Sequence, residues 1–115
     1  MKVDIRYENK FLIASLVGEL DHHTAVEVRE VLQKEIQKEI ATKVILDLKG
    51  LKFMDSSGVG VILGRYKELE RIGGKLVVTG LNETVKKIFQ ISGLHKIIKV
   101  FDDIPQGMKF LKEGK

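Results

Sequence analysis

Residues 43–69 read KVILDLKGLKFMDSSGVGVILGRYKEL. Lys43–Leu48 is a β-branched and aliphatic run of the length of a buried strand. Gly50–Asp55 then serves as a connection that carries two apolar residues, Phe53 and Met54. From Ser56 onward the period changes. Val59, Ile62, Leu63, Tyr66 and Leu69 fall at helical spacing and form an amphipathic stripe. Gly73-Gly74 stops that helix, and Lys75–Thr79 is a second buried strand. Strand, helix and strand in this order form a βαβ unit, whose strands lie parallel in one sheet and whose crossover is right-handed.

The pattern extends in both directions. Val3, Ile5 and Tyr7 alternate as in a half-buried strand, and Phe11–Val17 is a more buried one. The polar Glu8-Asn9-Lys10 between them predicts an antiparallel hairpin, and Gly18 follows the second strand. Thr24 with Glu27 forms a capping-box pattern for a helix running to about Ile40, buried through Val28, Val31, Leu32 and Ile36. On the C-terminal side, Asn82 caps a helix with Val85, Ile88 and Phe89 on its inner face. Those three residues read as core rather than as a partner-binding face. Gly93 ends the helix, and Ile97–Phe101 is a short strand. Asp103 or Ile104 caps a last helix with Pro105, the only proline, in its first turn and Met108 and Leu111 as packing residues. The expected fold is α/β: one domain over residues 1–115, with a mixed sheet of four or five strands and about four helices in the order β-β-α-β-α-β-α-β-α.

Composition narrows the function. The chain has 115 residues, 43% hydrophobic and 31% charged, as a soluble globular domain has. It has no cysteine, so a disulfide framework, a thiolate zinc site and a thiol nucleophile are excluded. Met1-Lys2-Val3-Asp4 opens directly into a strand pattern and is not a signal peptide. No apolar run approaches the roughly 18 residues of a membrane span, so the expected location is the cytoplasm. The net charge of +4 comes from interspersed signs, as at Lys34-Glu35, Lys38-Glu39 and Lys67-Glu68. With five phenylalanines and two tyrosines, no basic stripe with interleaved aromatics marks a nucleic-acid surface.

In such a sheet the strand ends at Val17, Leu48 and Thr79 lie on one edge. The segments 18–23, 50–57 and 80–82 therefore gather where α/β folds place their sites. Two of them carry unusual sequence: Gly18-Glu-Leu-Asp21-His22-His23-Thr24 and Phe53-Met54-Asp55-Ser56-Ser57-Gly58-Val59-Gly60. Ser56 opens a helix whose first amides lack intrahelical partners, and an anion there gains ~0.3–1 kcal/mol. A phosphate on Ser56 is expected to act outward, adding about −1.5 to −2 charge to the surface. The same residues are also common helix caps, so Ser56 and Ser57, and Asp21 in its loop, have a purely structural reading too.

Enzymatic readings fit less well. Gly58-Val-Gly60-Val-Ile-Leu-Gly64 has the wrong glycine spacing for a dinucleotide fingerprint. Asp21, His22 and His23 lack a metal-ligand spacing, and His95 falls in another turn. The nucleophile-elbow pattern is absent because Asp55, not glycine, stands two before Ser57. No cofactor is expected.

Together, Gly18–Thr24 and Phe53–Tyr66 resemble the STAS-domain anti-sigma factor antagonists, and Asp21-His22-His23-Thr24 resembles their sporulation branch. Gly73-Gly74-Lys-Leu-Val-Val, Val85-Lys-Lys-Ile-Phe and Ser92-Gly93-Leu94 extend the resemblance over nearly the whole chain. The resemblance implies a non-enzymatic switch that works as a monomer. The unmodified form binds an anti-sigma factor that is also a serine kinase, which releases the sigma factor. Phosphorylation at Ser56 ends binding, and a PP2C-type phosphatase reverses it. Metal and ATP belong to those partners. Asp21 matches the family's acidic residue beside the phosphorylation site, with Ser57 and Gly58 completing the motif. His22, His23, Thr24, Met54, Asp55 and Gly60 would form the surrounding contact surface. An alternative is a STAS module of stress signalling.

Overall fold

The computed structural model describes residues 1–113, which form one five-stranded sheet with four helices. The strands are β1 (Lys2–Glu8), β2 (Phe11–Leu20), β3 (Lys43–Met54), β4 (Lys75–Thr79) and β5 (Lys99–Phe101). They lie in the order β1-β2-β3-β4-β5, with β1 antiparallel to β2 and the other pairs parallel. The helices are α1 (Ala25–Gln37), α2 (Ser56–Arg71), α3 (Glu83–Ser92) and α4 (Ile104–Glu113). Crossovers of one hand that step steadily across a sheet leave successive helices on one face. Accordingly, α1, α2 and α3 bury Val28, Leu32, Ile36, Ile62, Leu69, Val85 and Phe89 against Leu12, Ala14, Leu46 and Val78. The alternate strand residues Phe11, Ile13, Ile45 and Val77 point to the other face, where α4 covers them with Leu111.

The hairpin turns at Asn9 and Lys10, both at positive φ (50° and 71°), as a tight two-residue connection requires. Four boundaries differ from the sequence reading. Strand β2 continues past Val17 to Leu20, and β3 continues past Leu48 to Met54, so Gly50–Met54 is strand rather than connection. Their pairing shifts register between Ser15 and Val17 and again between Gly18 and Glu19. Gly18 sits there at φ +121°, and a Cβ on Gly50 would lie 2.8 Å from Val17 Cγ2. These glycines bend strands instead of ending them. Helix α1 stops at Gln37, short of Ile40, and Glu39 turns the chain at φ +52°. Strand β5 begins at Lys99, not Ile97, because Leu94–Lys96 forms a 3₁₀ turn. The caps of the last two helices are as read: Val85 N donates to Asn82 Oδ1 (2.8 Å) and Gln106 N to Asp103 Oδ1 (3.0 Å).

One contact ties the hairpin to α1. Tyr7 Oη donates to Glu35 Oε1 at 2.8 Å. Burial, that bond and the Glu35 charge push the Tyr7 pKa up to about 12 from 10.0. The neutral phenol is favoured by the fold, so this contribution is complete below pH 10 and is lost as pH rises through 12. In a Tyr66→Phe variant, phenolate absorbance is expected to titrate with a midpoint near 12 while circular dichroism reports a folded chain. Adding Glu35→Gln should move the midpoint toward 10; the same midpoint in both proteins would mean that the contact does not form.

Candidate functional site

The bridge between β3 and α2 is Asp55. It is the N-cap of α2, extended at φ −107°, ψ −167°. Its Oδ1 accepts from Ser57 N (2.8 Å) and Gly58 N (3.3 Å), and its Oδ2 accepts from His22 N (3.1 Å). Asp55 N also donates to Leu20 O (3.2 Å). One carboxylate thus caps α2 and fastens the β2–α1 loop beside it. The cap is Asp55, not Ser56 or Ser57 as cap statistics alone allowed. Two of the helix amides that were open to an anion are therefore already occupied. Asn82 Nδ2 donates to Leu51 O (3.0 Å), which ties the third edge segment to β3.

The β2–α1 loop has its own lattice of bonds. Asp21 Oδ1 accepts from His23 N (2.9 Å) and Thr24 N (3.1 Å). Partial desolvation pushes the Asp21 carboxyl upward, but hydrogen bonds from the Thr24 and His23 amides and the Thr24 hydroxyl, with the His23 charge, hold it below its ordinary value. The capping box is not formed. Thr24 makes no side-chain cap bond to α1; its Oγ1 donates to Glu19 O (2.8 Å) and accepts from Asp21 N (3.0 Å). The threonine braces the loop that precedes the helix.

Ser56 is exposed at the first position of α2, and its hydroxyl has no hydrogen-bond partner among the described residues. Asp21, Asp55, Ser57 and the backbones of His22 and His23 are brought together by the bonds above. Met54 is buried below them. Gly58 is required by packing: its Cβ would lie 2.8 Å from Leu20 O. Gly60 faces open space. The rings of His22 and His23 stand 5.6 Å apart, both exposed. His95 is held elsewhere, 3.3 Å from Phe89 O. No group of three or more potential metal ligands forms among the described residues, and no described helix is long and apolar enough to cross a membrane.

A groove of about 320 Å³ adjoins Ser56, lined by Phe53, Val59, Ile88 and Ile91 with Met54 at its base. Phe53 is 41% and Ile91 86% exposed. Ile88 is half-buried, so it serves this groove as well as the core. Sequence reasoning missed the groove, although one signal was present: Ile91 falls off the Val85–Ile88–Phe89 stripe, on the polar side of α3. Replacing Asp55 with alanine removes three accepted bonds and is expected to cost about 2 kcal/mol, the upper end for a helix cap, measured by urea unfolding. A loss below about 0.5 kcal/mol would contradict the bridging role.

An α/β sheet with a loop-braced, exposed serine at a helix start is the arrangement of a STAS domain, and the STAS domain family model matches residues 2–107. The chain belongs to this family, among its anti-sigma factor antagonists, which are regulators rather than enzymes. It is 42% identical over 103 residues to the anti-sigma F factor antagonist of Paenibacillus polymyxa, covering 90% of this chain and 88% of that one. It is 35% identical over 86 residues to the anti-sigma-B factor antagonist of Listeria monocytogenes, covering 74% of each. The phosphorylated form of the Bacillus cell fate determinant SpoIIAA superposes with a TM-score of 0.73 at 31% identity, over 94% of this chain and 97% of that one.

Proposed function

We propose that this chain is a phosphorylation-controlled antagonist of the sporulation branch, acting in the cytoplasm as one STAS domain over residues 1–115. Unmodified, it binds an anti-sigma factor that is also a serine kinase and so frees the sigma factor. The Ser56 oxygen takes the γ-phosphoryl group of the kinase's ATP, ADP leaves, and the antagonist is released. A PP2C-type phosphatase hydrolyses the ester. Ser56 itself carries this reading: its hydroxyl is exposed and unbonded among the described residues, while Asp55 fixes the backbone around it.

The branch assignment is supported by higher identity over a longer span to the anti-sigma F antagonist than to the anti-sigma-B antagonist. The Asp21-His22-His23-Thr24 loop points the same way. The groove formed by Phe53, Val59, Ile88 and Ile91 offers an apolar anchor beside the serine, the usual composition of an interface centre. Asp55 already holds the amides of Ser57 and Gly58, so a phosphate on Ser56 faces outward, toward whatever occupies that groove.

Displacement tests the proposal. Added to a complex of the anti-sigma F factor and its sigma factor, the unmodified chain should release the sigma factor, and Ile91→Asp should raise the concentration needed about tenfold, as expected for one interface anchor. Release from the anti-sigma-B complex alone would assign the chain to stress signalling. Release from neither complex would reject the function.

A further inference from the structure

Strand β1 is an edge of the sheet, paired with β2 on one side and with no described strand on the other. An open edge offers a row of unpaired backbone donors and acceptors to another chain, and folded proteins commonly blunt it with a short strand, a proline or a bulge. The opposite edge, β5, has only three residues. Strand β1 has seven, includes no proline, and keeps one unbroken register with β2 from Lys2–Val17 to Glu8–Phe11. Charge is its remaining protection, and the charges are arranged in a particular way.

The strand reads KVDIRYE, a charge palindrome about Ile5. Val3 and Ile5 are half-buried against the core under the helices, and Tyr7 reaches Glu35 of α1 on the same face. Lys2, Asp4, Arg6 and Glu8 alternate with them and stand exposed on the other face. A second copy laid antiparallel, with Ile5 opposite Ile5, sets Lys2 against the partner's Glu8 and Asp4 against the partner's Arg6. Every charge then meets its opposite, and Val3 meets the partner's Tyr7, a favourable β-branched and aromatic pair. Opposed residues also share parity, as an antiparallel ladder requires.

Other registers lose this match. A slip of two residues one way opposes Asp4 to the partner's Glu8 and Arg6 to the partner's Arg6. A slip of two the other way opposes Lys2 to the partner's Arg6 and Asp4 to the partner's Asp4. Within one chain, Arg6 and Glu8 are 3.8 Å apart and about half exposed, a loose pair that contributes little and is free to exchange for these contacts.

We propose that β1 is a self-recognition edge. Two copies of this chain pair their β1 strands antiparallel about Ile5 and join their five-stranded sheets through an isologous two-fold interface. This departs from the monomer that the family resemblance implies. Ser56 follows β3, which β2 separates from β1, so both serines stay exposed and the dimer carries two switch sites. The interface is one short strand from each copy, and the dimer is accordingly weak and concentration-dependent.

Sedimentation equilibrium of the full chain at low ionic strength, from micromolar to millimolar concentration, tests the pairing. The average mass should rise from the 13.0 kDa of one chain toward twice that value. Asp4→Arg and Arg6→Asp each place like charges across the two-fold and should weaken association at least about tenfold. Both side chains are exposed, so circular dichroism should be unchanged. Mixed in equal amounts, the two variants should regain the association of the parent, because the arginines of one face the aspartates of the other. The mass of one chain at every concentration would overturn the proposal, as would a mixture no more associated than its components. Association that survives Asp4→Arg but is lost in Ile91→Asp would place the second copy on the apolar groove beside Ser56, and would overturn it equally.

Discussion

Phosphorylated at Ser56, the chain is expected to bind its anti-sigma factor at least about a hundredfold more weakly than the unmodified form, because like charge brought into an interface costs several kcal/mol. The phosphate adds about −1.5 to −2 charge beside two carboxylates, Asp21 and Asp55, that the loop bonds fix in place. It cannot be neutralised by the Ser57 and Gly58 amides without displacing Asp55 from them. The fold should be unaffected, since Ser56 is exposed and holds no other described residue through its hydroxyl. Ser56→Asp, with one compact charge, should weaken binding about tenfold. Ser56→Ala should bind as the parent does and never be switched off. Calorimetric titration of the three proteins and the phosphorylated form measures the series. Equal affinities across it would remove the electrostatic basis of the switch.

Gly58→Val is expected to destabilise the domain by about 3 kcal/mol, at the severe end of overpacking. A Cβ at this position would stand 2.8 Å from Leu20 O and 2.9 Å from Met54 Cβ, so α2 must move away from the ends of β2 and β3. That movement would pull Asp55 from His22 and open the site. Two residues on, Gly60→Ala meets no atom and should be neutral or stabilising by up to about 1 kcal/mol, through helix propensity alone. Urea unfolding of the pair separates the two roles. Equal effects would show that glycine at position 58 is not set by the close approach.

The same contrast explains what was legible in the sequence. Helical and strand periodicities placed β1, β4 and α3 closely, because each is short and bounded by residues with one clear preference, such as Asn82 as a cap and Gly93 in the left-handed region at φ +82°. The ends of β2 and β3 were misplaced because glycine has two uses. Gly73, at φ +75°, follows a helix. Gly18 and Gly50 sit inside paired strands, where one takes a positive φ and the other admits Val17, and no local signal separates the two uses. Thr24 and Glu27 carry the letters of a capping box, yet the Glu19 carbonyl competes for the threonine hydroxyl, a tertiary contact that periodicity cannot register. The site was legible as a pair of segments meeting on one edge. Their coupling through a single carboxylate was not, because the 33-residue separation of His22 and Asp55 is bridged only once β2 and β3 pair to their ends.

The most direct test of the central claim is mass spectrometry of the chain and its Ser56→Ala variant after incubation with the anti-sigma kinase and ATP. One added phosphate on Ser56, absent from the variant, is the expected result. Phosphate on Ser57, or none from a kinase that modifies another antagonist, would contradict the assignment of the switch to Ser56.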